Sequence, residues 1–177
     1  MIIRHWVLQR AKSEDAANIH KLMCKPKVYR YLADNLKPSF HVITDWLEKS
    51  AIDFDRFGVG LWVLNQNDER VSGCVSLAVD EPTRSAELIY LLDPALWGQG
   101  LATRMGWTAI TLALQNDAID RIIAGADIPN VASIAVMQRL GMLYWRAVQY
   151  PLGKGVEYVY DRGQPAPEPI PERLSLV

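Results

Sequence analysis

The segment Ile89-Tyr-Leu-Leu-Asp-Pro-Ala-Leu-Trp-Gly-Gln-Gly-Leu-Ala-Thr-Arg-Met105 changes character twice. Its first four residues are an apolar run that reads as a strand, and Asp93-Pro94 must stop it, because proline has no N–H to give the ladder. Gly98-Gln-Gly100 then turns the chain into a helix. From Leu101 to Gln115 the clearly polar residues are Thr103, Arg104, Thr108, Thr111 and Gln115. Arg104, Thr108, Thr111 and Gln115 share one stripe, so the rest of the circumference is apolar and is expected to be buried. A strand, a glycine turn and the first turn of a buried helix form an anion site. The free N–H groups of that turn point outward, and the helix dipole adds partial positive charge. Glycines at 98 and 100 let the backbone close around a phosphate with no side chain in the way.

Length and charge narrow the setting. At 177 residues the chain suits one domain with a sizeable core. Half the residues are hydrophobic and 22% are charged, as in ordinary globular proteins. A formal net charge of −1 and the lack of a long Lys/Arg run argue against a nucleic-acid partner. Cys24 and Cys74 are too few for a disulfide framework, and no Cys/His spacing reads as a metal site. Met1-Ile-Ile-Arg-His-Trp6 lacks the apolar core of a signal peptide and no run approaches a membrane span, so the expected compartment is the cytoplasm.

Around the central segment the chain alternates between the two periods. Trp6–Arg10 reads as a strand, followed by a helix capped by Ser13, with Ala16, Ile19 and Met23 on its apolar face and Lys25-Pro26 at its end. Lys25–Leu32 is a short amphipathic turn whose Val28 and Leu32 face the core. Ser39 is placed as the cap of a second helix with Ile43, Leu47, Ala51 and Phe54 inward and Gly58 as its stop. Strands follow at Gly60–Leu64 and Arg70–Val79, joined by the hairpin loop Asn65-Gln-Asn-Asp68, and another begins at Ser85. Beyond the central helix come a strand at Arg121–Gly125, a helix from the cap Asn130 to Leu140 with Gly141 after it, and strands at Met142–Val148 and Gly155–Tyr160. This order predicts an α/β layered fold, a mixed sheet with helices on its faces. Residues 1–162 are expected to form the domain. In 163–177, Pro165, Pro167, Pro169 and Pro171 favour an extended tail that contributes no core; its end at Leu174, Leu176 and Val177 is read as frayed, the alternative being docking on the domain or on a second subunit. Trp46, Trp62, Trp107 and Trp145 are read as core.

A P-loop would need a lysine and a hydroxyl after its last glycine, and the dinucleotide fingerprint a third glycine; neither is present. Trp97-Gly-Gln-Gly-Leu-Ala102 instead resembles the pyrophosphate loop Q/R-x-x-G-x-G/A of the GNAT acyltransferases, with Trp97 standing at its first position. The wider phrase D-P-x-x-W-G-x-G-x-A-T is similar to the ribosomal-protein N-terminal acetyltransferase (RimJ/RimL-like) branch. So are the P-x-V-x-R-Y-L phrase at Pro26–Leu32 and the N-x-x-S…L-G-M segment from Asn130 through Ser133 to Met142. The resemblance implies the GNAT acyl-CoA N-acyltransferase fold, a single mixed, largely antiparallel sheet flanked by helices. It implies acetyl-CoA as co-substrate and no metal. The backbone of Leu91 and Leu92 would hold the pantetheine arm, and Gly98, Gln99, Gly100, Leu101, Ala102 and Thr103 would cradle the pyrophosphate. Asn130 would bond the arm as well as cap its helix, and Arg139 would meet a coenzyme phosphate or stand in solvent. Tyr29, Arg30 and Tyr31 are candidate acceptor contacts.

Direct acyl transfer to an amine needs a base, donors for the thioester carbonyl and a proton source for the leaving thiolate. Glu87 is the one residue of Ser85–Leu92 that is charged near neutral pH. A part-buried carboxylate there has its pKa raised toward working pH, so Glu87 is the base candidate, directly or through water; the competing reading is a structural glutamate paired with an arginine. Where many GNAT enzymes carry an acidic tyrosine, this chain has Met137, which leaves Ser133, water or no residue to protonate the thiolate. An α-amine with pKa near 8 is about 10% neutral at pH 7, far more than a lysine, so a glutamate base suits it better. The expected activity is N-acetyl transfer from acetyl-CoA to a primary amine, a protein N-terminus or a small molecule, by a monomer or homodimer that binds neither nucleic acid nor membrane. The alternatives are a non-catalytic acyl-CoA sensor and an interaction module on the same fold.

Overall fold

The computed structural model describes residues 6–32, 35–66 and 71–177. Strand β1 (Trp6–Arg10) leads through a one-turn 3-10 helix at Ser13–Asp15 into α1 (Ala16–Met23), α2 (Pro26–Leu32) and α3 (Phe40–Phe57). Then come β2 (Leu61–Gln66), β3 (Val71–Asp80) and β4 (Ser85–Leu92), a second one-turn helix at Pro94–Leu96, and α4 (Leu101–Ala113). The chain closes with β5 (Arg121–Asp127), α5 (Val131–Arg139), β6 (Leu143–Tyr150), β7 (Gly153–Asp161) and β8 (Ser175–Leu176). Residues 1–5 of the segment read against a signal peptide, loop positions 67 and 68 and the expected strand start Arg70 lie outside the described residues.

The strands form one sheet in the order β6-β7-β5-β4-β3-β2-β1-β8. Neighbours run antiparallel except β4–β5 and β1–β8. Because side chains alternate along a strand, each face gathers its own core. Ala86, Leu88 and Leu92 of β4 and Ile122 and Ala124 of β5 pack under α4 and α5. Leu91, with Leu61, Val63 and Cys74, packs under α1, α2 and the first half of α3. Met105 and Ile110 of α4 and Met137 of α5 are fully buried, and each such side chain contributes about 1.5–3 kcal/mol.

Several elements differ in detail from the sequence reading. Lys12, not Ser13, occupies the cap of the first turn, and Asp15 Oδ2 accepts from the Lys12 N–H at 2.8 Å. Pro26 does not merely end α1; it opens α2, where its missing N–H is harmless. Ser39 is the N-cap of α3, though its side chain makes no cap bond. The buried residues of α3 are Ile43, Ser50, Asp53 and Phe57, while Ala51 is exposed. The helix turns its polar groups onto the sheet, since Ser50 Oγ accepts from Leu61 N at 2.6 Å and Asp53 Oδ2 from Val79 N at 3.3 Å. Trp145 is surface rather than core, stacked beneath Arg146.

The tail is the largest correction, because it neither frays nor stays out of the core. Gln164 Nε2 donates to the Gly141 carbonyl at 2.6 Å, and Glu172 pairs with Arg104 at 2.9 Å. The Leu174 N–H donates to Thr108 Oγ1 at 2.9 Å, its side chain is buried, and Ser175–Leu176 lies parallel to β1. The polar stripe of α4 is therefore a docking track, with Thr108 only 2% exposed. Replacing Leu174 by alanine is expected to lower stability by about 2–3 kcal/mol, read as a shift of the urea midpoint. A loss under about 0.5 kcal/mol would show that the docked tail carries no stability.

Candidate active site

Strands β4 and β5 pair only at Ser85↔Arg121, Ala86↔Ile122 and Glu87↔Ile123. Beyond that point β4 continues to Leu92 against β3, and β5 continues to Asp127 against β7. The space opened where they part belongs to a cleft of about 900 Å³. Its walls are β4 from Glu87 to Leu92, the glycine loop and first turn of α4, the first turns of α5, the inner side of α2, and Tyr150. A ladder interrupted in this way leaves strand N–H and C=O groups facing the cleft, where an extended ligand can satisfy them.

The glycine turn stands at one end. Gly98 and Gly100 have φ of 78° and 75°, in the left-handed region that favours glycine. Nothing lies within 4 Å of where a Cβ would sit on either, so the surface over the turn is bare. Gly100 is the N-cap of α4, and the N–H groups of Leu101, Ala102 and Thr103 form its first turn. Trp97 Nε1 donates to the Leu92 carbonyl at 2.9 Å, pinning the loop to the end of β4. Asp93 accepts from Ala95 N at 3.1 Å and pairs with Lys25 Nζ at 2.5 Å, tying the loop to the α1–α2 junction. Sequence reading had seen in Asp93 only a strand stop.

The two sides of the sheet carry different chemistry. On the α4–α5 side, Tyr90 Oη donates to the Ser133 carbonyl at 3.0 Å and lies 2.8 Å from Ser133 Oγ. With its proton on the carbonyl, Tyr90 receives the seryl proton; rotated, it donates to Oγ and frees that proton for the cleft. Burial pushes the Tyr90 phenol up to about 12, with the Ser133 bond working against the shift, so it stays neutral. Asn130 Oδ1 accepts from Ser133 N at 3.3 Å and fixes the start of α5. Met137 is fully buried and cannot serve the cleft.

On the other side stand Glu87, Asp127, Glu157 and Tyr150. Glu87 is exposed to the cleft rather than part-buried as expected, yet partial desolvation of its carboxyl, followed by the charge of Glu157, still raises its pKa. Glu157 pairs with Arg146 at 2.6 Å. The Tyr150 phenol is pushed up to about 12 by burial and then by the charges of Glu157, Glu87 and Asp127.

Of the residues singled out from sequence, Glu87, Leu91, Leu92, Gly98, Gly100, Leu101, Ala102, Thr103, Asn130, Ser133, Arg139 and Tyr31 line this cleft. Gln99 does not; its Nε2 reaches back to the Ala95 carbonyl at 3.5 Å. Tyr29 and Arg30 do not line it either; Tyr29 is half-buried elsewhere on α2 and Arg30 is exposed, over the Tyr31 ring at 5.1 Å. Tyr90, Tyr150, Asp127 and Glu157 were not anticipated. A strand tyrosine reads as core, and the available signal was that a buried hydroxyl needs a partner. Among the described residues no three His, Cys, Asp or Glu side chains converge to hold a metal, and no helix is long and apolar enough to cross a membrane.

The family model for the acetyltransferase (GNAT) domain matches residues 5–143, and the chain belongs to that family. Its fold is shared with RimL, a ribosomal L7/L12 α-N-protein acetyltransferase solved with coenzyme A. The two are 19% identical over 87% of this chain and 92% of that one, with a TM-score of 0.73. An acetyltransferase from Agrobacterium tumefaciens str. C58 also gives 0.73, at 16% identity over 89% and 91%. The aminoglycoside acetyltransferase AAC(6')-Ib with coenzyme A gives 0.71, at 15% identity over 89% and 95%.

Since folding raises the pKa of Glu87, it favours the protonated carboxyl. The stability this group contributes is complete below the ordinary glutamate range and is lost as pH rises through the elevated value. Glu87→Gln keeps the neutral form at every pH. It should unfold at higher urea than wild type near pH 7, and the two midpoints should converge on acidification. Equal midpoints near pH 7 would mean that the carboxylate is ionised without penalty.

Proposed function

We propose that this acetyltransferase moves an acetyl group from acetyl-CoA to a primary amine by direct attack. The observation that carries the reading is the parting of β4 and β5 beside a bare glycine turn at a helix N-terminus, with a carboxylate of raised pKa at the same gap. The turn offers free N–H groups and helix-dipole charge to the pyrophosphate at Gly98, Gly100, Leu101, Ala102 and Thr103. The backbone of Leu91 and Leu92 would pair with the amides of the pantetheine arm, as a further strand would. Asn130 and Arg139 lie along the same path and are assigned to the arm and to a coenzyme phosphate.

In the transfer, the amine nitrogen forms its bond to the thioester carbon and the carbon–sulfur bond breaks. The proton lost by nitrogen passes to Glu87, directly or through water, and then to solvent. Ser133 gives a hydrogen bond to the departing sulfur while Tyr90 takes up the seryl oxygen. A direct route suits the cysteines: Cys74 is fully buried, with its thiol pushed up by burial, and Cys24 does not line the cleft.

The acceptor end bears Glu87, Asp127 and Glu157 against Arg146, an arrangement that favours an approaching cation over an anion. Among cations, an α-amine retains about a tenth of its population neutral at pH 7, which a glutamate base can exploit. This supports a protein N-terminus or a small amine of similar basicity, in keeping with the RimJ/RimL-like phrases of the sequence. The cytoplasm, where acetyl-CoA is available, is the compartment we assign.

Calorimetric titration with acetyl-CoA tests the cradle. Micromolar binding is expected for wild type and none for Gly100→Glu, which puts a side chain and a negative charge into the turn. Failure of the wild type to bind would sink the proposal. Glu87→Gln should retain that binding and lose about 10²-fold or more in turnover of any amine the wild type acetylates. Undiminished turnover would remove Glu87 as base, and binding without turnover in wild type would favour an acyl-CoA sensor.

A further inference from the structure

Two glycines on neighbouring strands carry one tyrosine. Gly125 of β5 and Gly155 of β7 lie near each other on the face of the sheet that also bears Glu87 and Glu157. A Cβ added at Gly125 would stand 2.0 Å from the Tyr150 hydroxyl, and one at Gly155 would stand 2.2 Å from its ring. No side chain fits at either place while the ring is there. Tyr150 ends β6, so its ring folds back across β7 and sets the hydroxyl over β5 at the edge of the cleft. Glycine weakens a strand interior, and two of them in register with one aromatic ring form a slot that holds a phenol at one point.

We propose that Tyr150 is an acceptor-binding residue: seated in the Gly125–Gly155 slot, its hydroxyl oxygen accepts a hydrogen bond from the incoming amine and holds the nitrogen toward Glu87. The role rests on the acetyl-transfer reading given above. An attacking amine must direct its lone pair at the thioester carbon, give one N–H to the base, and have another N–H held. The Tyr150 hydroxyl bonds the Glu157 carboxylate, with the charges of Glu87 and Asp127 also acting on it, so the phenolic proton turns toward Glu157. The phenolic oxygen then presents its lone pairs to the cleft. Being neutral, it holds the nitrogen without adding a charge that would keep it protonated. Tyr150 thereby supplies from the end of β6 a contact for which Tyr29 and Arg30, which do not line the cleft, are not placed.

The test uses the full-length protein, acetyl-CoA and three amines: spermidine, kanamycin and a tripeptide with a free amino terminus. Release of the coenzyme thiol is followed for wild type and Tyr150→Phe. The phenylalanine ring still fills the slot, so the melting temperature and the acetyl-CoA Kd should stay close to wild type. For each amine the wild type acetylates, KM should rise about tenfold, the loss expected for one hydrogen bond to a charged or reacting group. An unchanged KM, or a fall in kcat alone, overturns the assignment and leaves acetyl transfer standing. Wild type that binds acetyl-CoA yet acetylates none of the three overturns the acceptor reading and this role together. Gly125→Ala checks the slot separately. It should destabilise wild type clearly and Tyr150→Phe much less, because the atom it strikes is the hydroxyl. Equal destabilisation in both backgrounds also counts against the proposal.

Discussion

Two parallel strands that run together as far as Glu87 and Ile123 and then separate are the constraint on which the rest of this molecule depends. Neither strand is left alone by the separation. Strand β3 holds β4 along its whole length to Leu92, and β7 holds β5 to Asp127. The sheet can therefore open in its middle without losing either half. Both halves are then needed to build one site, because the hydroxyl pair Tyr90–Ser133 lies on one face and the carboxylates with Tyr150 on the other. A reacting bond placed in the gap is the one location that both faces reach.

The charge of the chain as a whole conceals this arrangement. A net charge of −1 suggests a protein with no electrostatic preference. Within the cleft charge is unevenly placed: bare N–H groups stand at the α4 terminus, while Glu87 and Asp127 line the wall near Tyr150, with Glu157 paired to Arg146 beside them. Local fields depend on where charges sit and on how little water separates them, so a sum over the sequence cannot express them.

What could be read from the sequence was what neighbouring residues decide among themselves. Gly98 and Gly100 announced a tight turn, Asp93-Pro94 the end of a strand, and Asn130 a helix cap; each depends on backbone geometry within a few positions. Glu87 stood out because one charged group in an apolar strand is rare enough to notice. What escaped was set by distant partners. Tyr90 looked like core until Ser133, far along the chain, met its hydroxyl. Gly125 and Gly155 read only as strand ends, and nothing near them in sequence pointed to the Tyr150 ring that fills the space over them. The stripe Arg104–Thr108 looked like a wet surface, and the proline-rich stretch like a loose end, because each hid the reason for the other. On α3 the inward Ile43, Leu47 and Phe54 were legible, but the buried Ser50 and Asp53 were not, because hydrophobic periodicity discounts polar positions.

The interrupted ladder also means that stability and occupancy are one quantity in this protein. Along 88–92 and 124–127 each strand is paired on its outer side only, so the facing backbone groups are left for a ligand to pair. A molecule that lies in the gap closes the ladder and is lost when the ladder unfolds, so its concentration enters the folding equilibrium directly, as RT ln(1 + [L]/Kd). In a cell the abundance of the folded enzyme would then follow the supply of its own substrate. The protein would resist proteolysis when that pool is full and yield to it when the pool is drained.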